Sequence, residues 1–326
     1  SFPPVPRNSG IVATSVRKFT ADASTDRIYA LTDEIHVSAG GADYLTLDRR
    51  PLAAVGSLPP PTLVTTIHAQ PGSLLALLSI ELARSNDAGT SWSLIPDSWA
   101  EPPPQLWQLA SALGEPANLI AAGSPGAFRS ANAGASWTPI AAGLPDEFET
   151  FDVEFAESDP SVVYFGPYVS RLGVPLVFGV YRSTDGGTTW APANAGIDDL
   201  GAYDIEVDPT HSRMVYAIGG TPFVEWTDSG TTWRTLRQSV SSFSRIAIDP
   251  VLPRVIYVVS DVNSVLRSVD GGESFEIVRD VGTNPWWHPR SVIVDARRSN
   301  VVTVGTDGFG VQQMSVEPDL GLGLTL

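Results

Sequence analysis

The stretch Ser183-Thr184-Asp185-Gly186-Gly187-Thr188-Thr189-Trp190 decides the fold of this chain. Its pattern, Ser-x-Asp-x-Gly-x-Thr-Trp, recurs at residues 85–92 and 268–275, where Phe275 stands in place of the Trp. In two altered copies, an Asn replaces the Asp (residues 130–137) or a Trp replaces the first Ser (residues 226–233). One octapeptide found five times in a single chain predicts a repeat architecture.

The spacing of the octapeptides predicts what each repeat builds. They begin at residues 85, 130, 183, 226 and 268, so they lie 45, 53, 43 and 42 residues apart. One four-stranded blade of a β-propeller takes about 40 to 50 residues. Within one period, residues 204–209 alternate like a half-buried strand, 214–218 form a short apolar run, and 223–227 and 232–236 flank the octapeptide. Each period therefore predicts one blade.

Two further units complete the count. A worn unit lies near the start, at residues 27–44, and residues 291–314 supply three strands with no octapeptide after them. Numbered 1 to 7 in chain order, the units predict an all-β, seven-bladed β-propeller of four-stranded antiparallel blades over residues 16–314. Residues 1–15 are predicted to supply a ring-closing strand that pairs beside residues 310–314, because closure removes exposed strand edges. Residues 315–326 are predicted to form a C-terminal tail or linker.

The residue types within the octapeptide indicate a structural task. The Gly allows turn conformations closed to other residues, the Asp and Ser can bond nearby backbone amides, and the aromatic residue fills the space between turns. We therefore expect its third residue to be structural and not catalytic in every copy: Asp87, Asn132, Asp185, Asp228 and Asp270. The Trp residues at 92, 137, 190 and 233 should belong to the packing.

Composition excludes several classes of function. Asp and Glu outnumber Lys and Arg by 36 to 20, and a net charge of −16 disfavours nucleic acid as a partner. The chain has no Cys, and its four His residues, 36, 68, 211 and 288, do not show the spacing of a zinc site. No apolar run is long enough to cross a membrane, and no phosphate-binding loop occurs. We therefore predict no metal, no cofactor and no membrane insertion.

The octapeptides resemble the Asp boxes of BNR-repeat propellers, a superfamily that includes sialidases, xyloglucanases and sortilin-type receptors. Phrases such as Ile248-Asp249-Pro250 are most similar to the xyloglucanase-like and exported bacterial branch. The resemblance covers about residues 16 to 314 and implies the propeller fold, although this scaffold hosts unrelated activities. A sialidase of this type would be expected to carry an Arg-Ile-Pro segment, which is absent here.

A glycosidase remains the alternative function. It would need two carboxyl groups facing one another across a cleft, and xyloglucan hydrolases of this type usually span two propellers. Acids occur in the connections between units, on the face expected to lie opposite the octapeptides. They are Asp146, Glu147, Glu149, Asp198 and Asp199. The competing interpretation is a solvated rim.

Aromatic and basic residues on the same face are candidate ligand contacts. Residues 283–290, Thr-Asn-Pro-Trp-Trp-His-Pro-Arg, connect units 6 and 7, and an insertion at residues 166–175 lengthens unit 4. Such loops can offer stacking surfaces and donors to a sugar or peptide. The candidates are Trp286, Trp287, His288, Arg290, Trp99, Trp107, Tyr168 and Arg171. The alternatives are that both indoles of the 286–287 pair are buried between blades and that the insertion is a simple long hairpin.

These observations favour a non-catalytic extracellular recognition or scaffold module that binds a protein or glycan through the face opposite the octapeptides. A third possibility, an assembly factor for a membrane complex, would be expected to have a basic docking patch, and the acidity of the chain weighs against it. Residues 318–320, Pro-Asp-Leu, resemble the entry to the immunoglobulin-like repeats that follow exported bacterial propellers. We therefore expect a monomeric module of a longer protein that is secreted, periplasmic or at the cell surface; an ordinary frayed terminus is the alternative for residues 315–326.

Overall fold

A computed structural model of the chain describes most of the repeat region. The described residues are 18–22, 27–31, 35–38, 47–50, 63–66, 71–78, 81–95, 99, 105–124, 126–145, 148–168, 179–197, 202–226, 232–260, 264–280, 288–295, 298–307 and 310–316. Within these ranges the regular structure is β-strand, and no α-helix occurs. The predicted all-β class is confirmed.

The strands follow the predicted units. Units 1 to 3 contain β1 Lys18–Asp22, β2 Arg27–Leu31, β3 Ile35–Ser38, β4 Leu47–Arg50, β5 Leu63–Thr66, β6 Leu74–Leu78, β7 Glu81–Ser85, β8 Ser93–Ile95, β9 Gln105–Ala112, β10 Glu115–Ser124, β11 Gly126–Ser130 and β12 Thr138–Pro139. Units 4 to 7 contain β13 Glu149–Phe155, β14 Val163–Tyr168, β15 Tyr181–Ser183, β16 Ala191–Pro192, β17 Asp204–Val207, β18 Val215–Ile218, β19 Gly220–Trp226, β20 Trp233–Ile248, β21 Ile256–Ser260, β22 Ser264–Ser268, β23 Glu276–Asp280, β24 His288–Asp295, β25 Arg298–Asp307 and β26 Gly310–Ser315.

Within each unit, consecutive strands pair antiparallel in a meander. The described strands form six sheets: four with four strands, one with seven (β17 to β23) and one with three (β24 to β26). The prediction of separate four-stranded sheets is therefore wrong for units 5 and 6. The strand β20 pairs with β19 through its first part and with β21 through its last part, which joins the two units. No Gly or Pro interrupts residues 234–247, so nothing in the sequence breaks this strand.

The sheets are arranged as a propeller. The first strand of each unit contacts the first strand of the next, in the order β1, β5, β9, β13, β17, β20 and β24, and β24 contacts β1 again. Neighbouring units share clusters of buried apolar side chains, as between units 3 and 4 and between units 6 and 7. The core therefore lies between the sheets, and the predicted propeller arrangement is confirmed.

The second strands show how the repeat fills this core. Four units place a Tyr at the same position of that strand, and all four residues are fully buried: Tyr29, Tyr164, Tyr216 and Tyr257. The Tyr164 hydroxyl donates a hydrogen bond of 3.0 Å to the Ser212 carbonyl in the next unit. A large ring with one polar atom that finds a partner suits a packed interface between two sheets.

Alternating strand direction gives the ring two faces. The octapeptides and the turns that join the first and second strands lie on one side, which we call the box face. The connections between units, and with them the starts of the first strands, lie on the other side, which we call the loop face. The predicted ring-closing strand at residues 10–14 lies outside the described residues, and the domain boundaries at 15, 16, 314 and 315 stay predictions.

Candidate functional site

The octapeptide of unit 4 forms a closed network of short-range hydrogen bonds. Ser183 Oγ donates to Asp185 Oδ1 at 2.8 Å and accepts from the Gly187 amide at 2.9 Å. The same Oδ1 accepts from the Thr189 amide at 2.9 Å, and Oδ2 accepts from Thr189 Oγ1 at 2.6 Å. Both carboxylate oxygens of Asp185 are thus occupied within the turn.

Three other octapeptides repeat this geometry. In unit 2 the Ser91 amide and hydroxyl bond the two oxygens of Asp87 at 2.8 and 2.6 Å, and in unit 6 Ser274 bonds Asp270 at 2.9 and 2.6 Å. In unit 3 the Ser136 amide bonds Asn132 Oδ1 at 2.9 Å, so an amide side chain can fill the position. These contacts support the predicted structural task; Asp228 lies outside the described residues.

The four octapeptides that the structure describes in units 2, 3, 4 and 6 also tie the outer turn of the unit to the inner strands. The amide of the fourth residue donates to a carbonyl in the turn before the second strand or, at Ala117, within the second strand of the same unit. The donor–acceptor pairs are Ala88–Gly72 at 2.8 Å, Ala133–Ala117 at 3.0 Å, Gly186–Ser161 at 2.8 Å and Gly271–Arg254 at 2.9 Å. The fourth residue has a positive φ in all four units, for example +58° at Ala88. The octapeptide is therefore a staple across the box face of its unit.

The hydrogen bonds keep the octapeptide carboxylates ionised. The hydroxyl and amide of Ser91 are the main causes that lower the pKa of Asp87 to about 2. At Asp185, desolvation raises the pKa, but bonds from Thr189, Ser183 and Thr188 outweigh it and leave a pKa of about 2. A carboxylate with so low a pKa and no spare oxygen is poorly suited to general acid catalysis.

Only one of the loop-face acids proposed from the sequence belongs to the described residues. Glu149 begins β13, is partly buried, and accepts a hydrogen bond of 3.3 Å from Ser124 Oγ of unit 3. The other acids, Asp146, Glu147, Asp198 and Asp199, lie outside the described residues. A glycosidase would need two of these carboxyl groups to face one another across a cleft. Because only Glu149 is described, that arrangement stays a prediction.

The candidate ligand contacts are also only partly described. Trp286, Trp287 and Arg171 lie outside the described residues, while Tyr168 ends β14 and His288 begins β24. Arg290 is exposed, and its Nε donates to Asp307 Oδ2 at 2.5 Å across the first two strands of unit 7. Arg290 therefore lies on the loop face, where the sequence placed it.

The sequence predicts that the remaining two candidates, Trp99 and Trp107, lie in the connection between units 2 and 3. Trp99 is partly buried and stacks on Trp137, with ring centroids 4.8 Å apart, while Phe128 meets it edge-on at 5.8 Å. Its ring thus contributes to packing. Trp107 lies within β9 and not in the preceding connection, which corrects the prediction. Irregular pairing between β9 and β10 continues to Ser124↔Gln105, so the strand begins earlier than expected.

Sequence reasoning missed a group of carboxylates on the first strands of units 4 and 5. Asp152 Oδ1 accepts from Gln108 Nε2 of unit 3 at 2.9 Å, and its Oδ2 accepts from the Ile205 amide of unit 5 at 2.7 Å. One carboxylate therefore joins three units. In the same way Asp204 Oδ2 accepts from the Ile246 amide of unit 6 at 2.6 Å.

Two glutamates accompany these aspartates two residues further along the same strands. Desolvation is the main cause that raises the pKa of Glu206 well above its usual range, and the negative charges of Glu154 and Asp204 raise it further. A carboxyl group with a raised pKa is a recognised feature of functional sites, and of buried structural networks as well. An alignment of the repeats would have revealed this group of carboxylates, because Asp152 and Asp204 hold equivalent positions in units 4 and 5.

The loop face carries exposed side chains at the start of β17, at the start of the part of β20 that pairs with β21, and near the start of β24. Tyr203, immediately before β17, is 43% exposed, and Arg245 of β20 and Arg290 of β24 are also exposed. Arg245 Nη1 lies 4.0 Å from Asp204 Oδ1. This set of residues, which we call the loop-face rim, brings an aromatic ring and two guanidinium groups to one side of the ring.

One cavity opens on the opposite side. It has a volume of about 280 Å³ and is lined by Arg182, Thr184, Thr189, Trp190 and Pro192 among others in unit 4. The Thr189 hydroxyl is already bonded to Asp185, and the Arg182 guanidinium lies over the Tyr164 ring at 5.9 Å. The polar groups that line the cavity thus already contact other parts of the fold.

A family model described as the BNR/Asp-box repeat matches residues 181–192 of the chain. The match falls on the octapeptide with the most complete staple. The octapeptide of unit 4 therefore lies within a BNR/Asp-box repeat. No sequence among curated proteins matches it, and none of the described residues forms a helix that could cross a membrane.

Three solved structures are similar to this chain. The GH74 xyloglucanase from Xanthomonas campestris is 18% identical with a TM-score of 0.72; the match covers 94% of this chain and 52% of that one. YCF48 bound to a D1 peptide is 15% identical with a TM-score of 0.68, covering 98% and 99%. PorZ, a surface component of the type-IX secretion system of Porphyromonas gingivalis, is 12% identical with a TM-score of 0.62, covering 95% and 38%.

At these identities the likeness shows the fold alone. The chain spans about half the length of the xyloglucanase structure and almost the whole length of the YCF48 structure. The same propeller thus occurs in a glycosidase and in a protein bound to a peptide.

Proposed function

We propose that this chain is a non-catalytic recognition or scaffold module that binds a protein or glycan through its loop face. The observation that carries the proposal is the contrast between the two faces. On the box face, the carboxylates of Asp87, Asp185 and Asp270 are bonded within their own turns. On the loop face, Tyr203, Arg245 and Arg290 are exposed at successive first strands, where side chains from separate units can contact one ligand.

The structural neighbours support this function and an exported location. The neighbour with matching length is bound to a peptide, and another is a bacterial surface component. We place this chain outside the cytoplasm, as a secreted, periplasmic or cell-surface module. The candidate contacts Trp286, Trp287 and His288 lie shortly before Arg290 in the sequence, separated from it by Pro289, and would extend the loop-face rim.

The same proposal includes seven blades. The strand β20 would serve as the outer strand of unit 5 and the inner strand of unit 6, so the seven-stranded sheet counts as two blades. The closed order of first strands, from β1 to β24 and back to β1, supports this count. Unit 7 would then be the blade with three described strands.

The binding proposal is tested by single substitutions on the two faces. Trp286→Ala, Trp287→Ala and Arg290→Ala should each weaken a ligand found on a glycan or peptide array by roughly tenfold or more, as expected when an aromatic or Arg anchor is removed. Thr184→Ala, on the box face, is the matched control and should bind as the unaltered chain does. Equal binding by all four variants, or loss only in the control, would contradict a loop-face site.

A glycosidase is the second candidate, favoured by the likeness to a xyloglucanase and by the carboxylates of units 4 and 5. Burial and the nearby charge of Glu154 raise the pKa of Glu206, and a raised carboxyl pKa is a feature of the general acid in acid–base hydrolysis. Hydrolysis of β-glucans or sialosides at pH 5 to 7 that disappears in Glu206→Gln, Asp146→Asn, Glu149→Gln, Asp198→Asn or Asp199→Asn would favour this candidate. Absence of turnover in the unaltered chain would remove it.

A further inference from the structure

The junction between units 6 and 7 receives no Asp box from unit 7 on the box face, whereas units 2, 3, 4 and 6 each carry a described Asp box. Ser315 pairs with Val301 as the first Ser of the unit 4 Asp box, Ser183, pairs with Val163. The residues after Ser315, Val-Glu-Pro-Asp, do not continue an Asp box. Unit 7 therefore has a Ser at the position where an Asp box begins, but the residues that follow do not form one.

An apolar surface is exposed in unit 6 beside this junction. Val251 is 55%, Leu252 51% and Val269 42% exposed. Val251 and Leu252 lie in the turn between the first and second strands, and Val269 is the second residue of the Asp box. The two turns are bonded together, since the Gly271 amide donates to the Arg254 carbonyl at 2.9 Å. We call these three residues the unit 6 apolar patch.

The equivalent residues of unit 5 show that the turn itself does not require apolar side chains. Thr210 and His211 donate their amides to Asp208 Oδ1 at 2.7 and 3.1 Å, as Val251 and Leu252 donate to the carboxylate of Asp249 at 2.8 and 3.0 Å. The second Asp-box residue is likewise polar or small in units 2 to 4: Asn86, Ala131 and Thr184. An apolar surface at one of several equivalent turns is a sign of a contact.

The described chain ends next to the patch. Val316, its last residue, packs against the buried cluster shared by units 6 and 7. Val255, which follows the unit 6 turn directly, packs against the same cluster. The next ten residues read Glu-Pro-Asp-Leu-Gly-Leu-Gly-Leu-Thr-Leu, with an apolar residue at every second position from Leu320 to Leu326. In an extended segment, such alternation puts all four Leu side chains on one face.

We propose that residues 317–326 dock on the unit 6 apolar patch and cover the junction that lacks an Asp box. Six residues of an extended segment beyond Val316 span up to about 20 Å. Its Leu face matches the patch, which would otherwise stay in contact with water. The docked segment replaces the missing box as the cover of this junction, a role separate from ligand binding on the loop face.

The absence of Cys from the chain makes a direct test possible. In the full chain, Val251→Cys is combined with Leu322→Cys, and Thr210→Cys with Leu322→Cys serves as the matched control at the polar turn of unit 5. Under mild oxidation, the disulfide within one molecule should form roughly tenfold faster or more in the first pair, because docking raises the effective concentration of the two thiols. Replacing Leu320 and Leu324 by Ser in the first pair should remove that advantage.

Each other outcome overturns the proposal. Equal rates for the two pairs would mean that the segment extends away from the ring, as a linker does. Disulfide-linked dimers whose rate rises with protein concentration would mean that a second copy occupies the patch. A first pair that stays fast after the Leu320 and Leu324 substitutions would mean that the Leu face does not bind. All three introduced Cys positions are exposed or beyond the described residues, so the fold itself is not tested by these changes.

Discussion

The junction between units 3 and 4 and the junction between units 6 and 7 solve the same packing problem differently. At the first, Arg129 Nε of unit 3 donates at 2.9 Å to the carbonyl of Gly186 in the Asp box of unit 4, and Asn118 Nδ2 donates to the same oxygen at 3.2 Å. At the second, the equivalent Arg267 pairs at 2.6 Å with Glu276 of its own unit. The Asp box thus serves the neighbouring unit as well as its own.

Polar groups in the two regions are also bonded differently. At the junction of units 3 and 4, Trp190 of the Asp box donates its amide to the Ala142 carbonyl in the connection between the units, at 3.0 Å. Within unit 6, the carboxylate of Asp249 is fully buried, and burial raises its pKa. Its Oδ2 has no hydrogen-bond partner among the atoms that the structure describes. The comparison teaches that an Asp box gives the neighbouring unit a hydrogen-bond acceptor, whereas Arg267 finds its acceptor within its own unit.

The largest expected effect is at Gly143, in the connection that receives Trp190. A Cβ at this residue would lie 1.9 Å from the Trp190 carbonyl oxygen, and its φ is +84°. Gly143→Ala should therefore destabilise the fold by about 3 kcal/mol or more, because backbone must move at a strained conformation. Urea unfolding followed by Trp fluorescence would measure the loss.

Gly114→Ala is the matched control for that substitution. Gly114 has a similar φ of +76°, but a Cβ there meets nothing within 4 Å. Its cost should be limited to about 1 to 2 kcal/mol for the left-handed backbone. Equal losses in the two variants would show that the contact between the connection and Trp190 does not fasten units 3 and 4.

The next largest effect compares the contact of Arg129 with that of its equivalent, Arg267. Arg129→Gln shortens the side chain that reaches across to Gly186 and should cost about 1 to 2 kcal/mol, the value of a hydrogen bond from a charged donor. Glu276→Gln should cost less than about 1 kcal/mol, because the Glu276 side chain is 61% exposed and screened by solvent. Amide hydrogen exchange should rise in units 3 and 4 for the first variant, and within unit 6 for the second. A larger loss for Glu276→Gln would reverse the comparison.

How far the sequence predicted the fold depends on the range of the contacts. The hydrogen bonds within the Asp box join residues two to four positions apart, so Ser183, Asp185 and Thr189 could be assigned from their order alone. The repeated order of apolar runs also predicted the strands of most units. The merging of units 5 and 6 through β20 was not predicted, because the octapeptide spacing marks where units recur and not where a strand ends.

The candidate site was predicted less well, since its contacts are long-range. Asp152 bonds Gln108 and Ile205, which are 44 and 53 positions away, and no short motif marks such a carboxylate. Exposed Tyr203 was missed for the same reason: its place on the loop-face rim follows from the start of β17. Residues chosen for their chemistry in connections, such as Trp286 and Asp198, lie outside the described residues and stay predictions.

The smallest expected effect tests the charge of the Asp box at the junction of units 3 and 4, where one box has Asp185 and the other has Asn132. The pKa of Asp185 is about 2, below the value of about 3.9 for an unfolded Asp. Its ionised form therefore stabilises the fold fully above about pH 4, and this contribution is lost as the pH falls through about 2. Asp185→Asn should cost about 0.5 to 1 kcal/mol at pH 7, and the difference from the unaltered chain should shrink between about pH 4 and pH 2. Asn132→Asp should give a change of opposite sign, because Ser136 already bonds that position. Urea midpoints at pH 7, 4, 3 and 2 would measure both, and identical pH dependence in all three proteins would show that the box works without its charge.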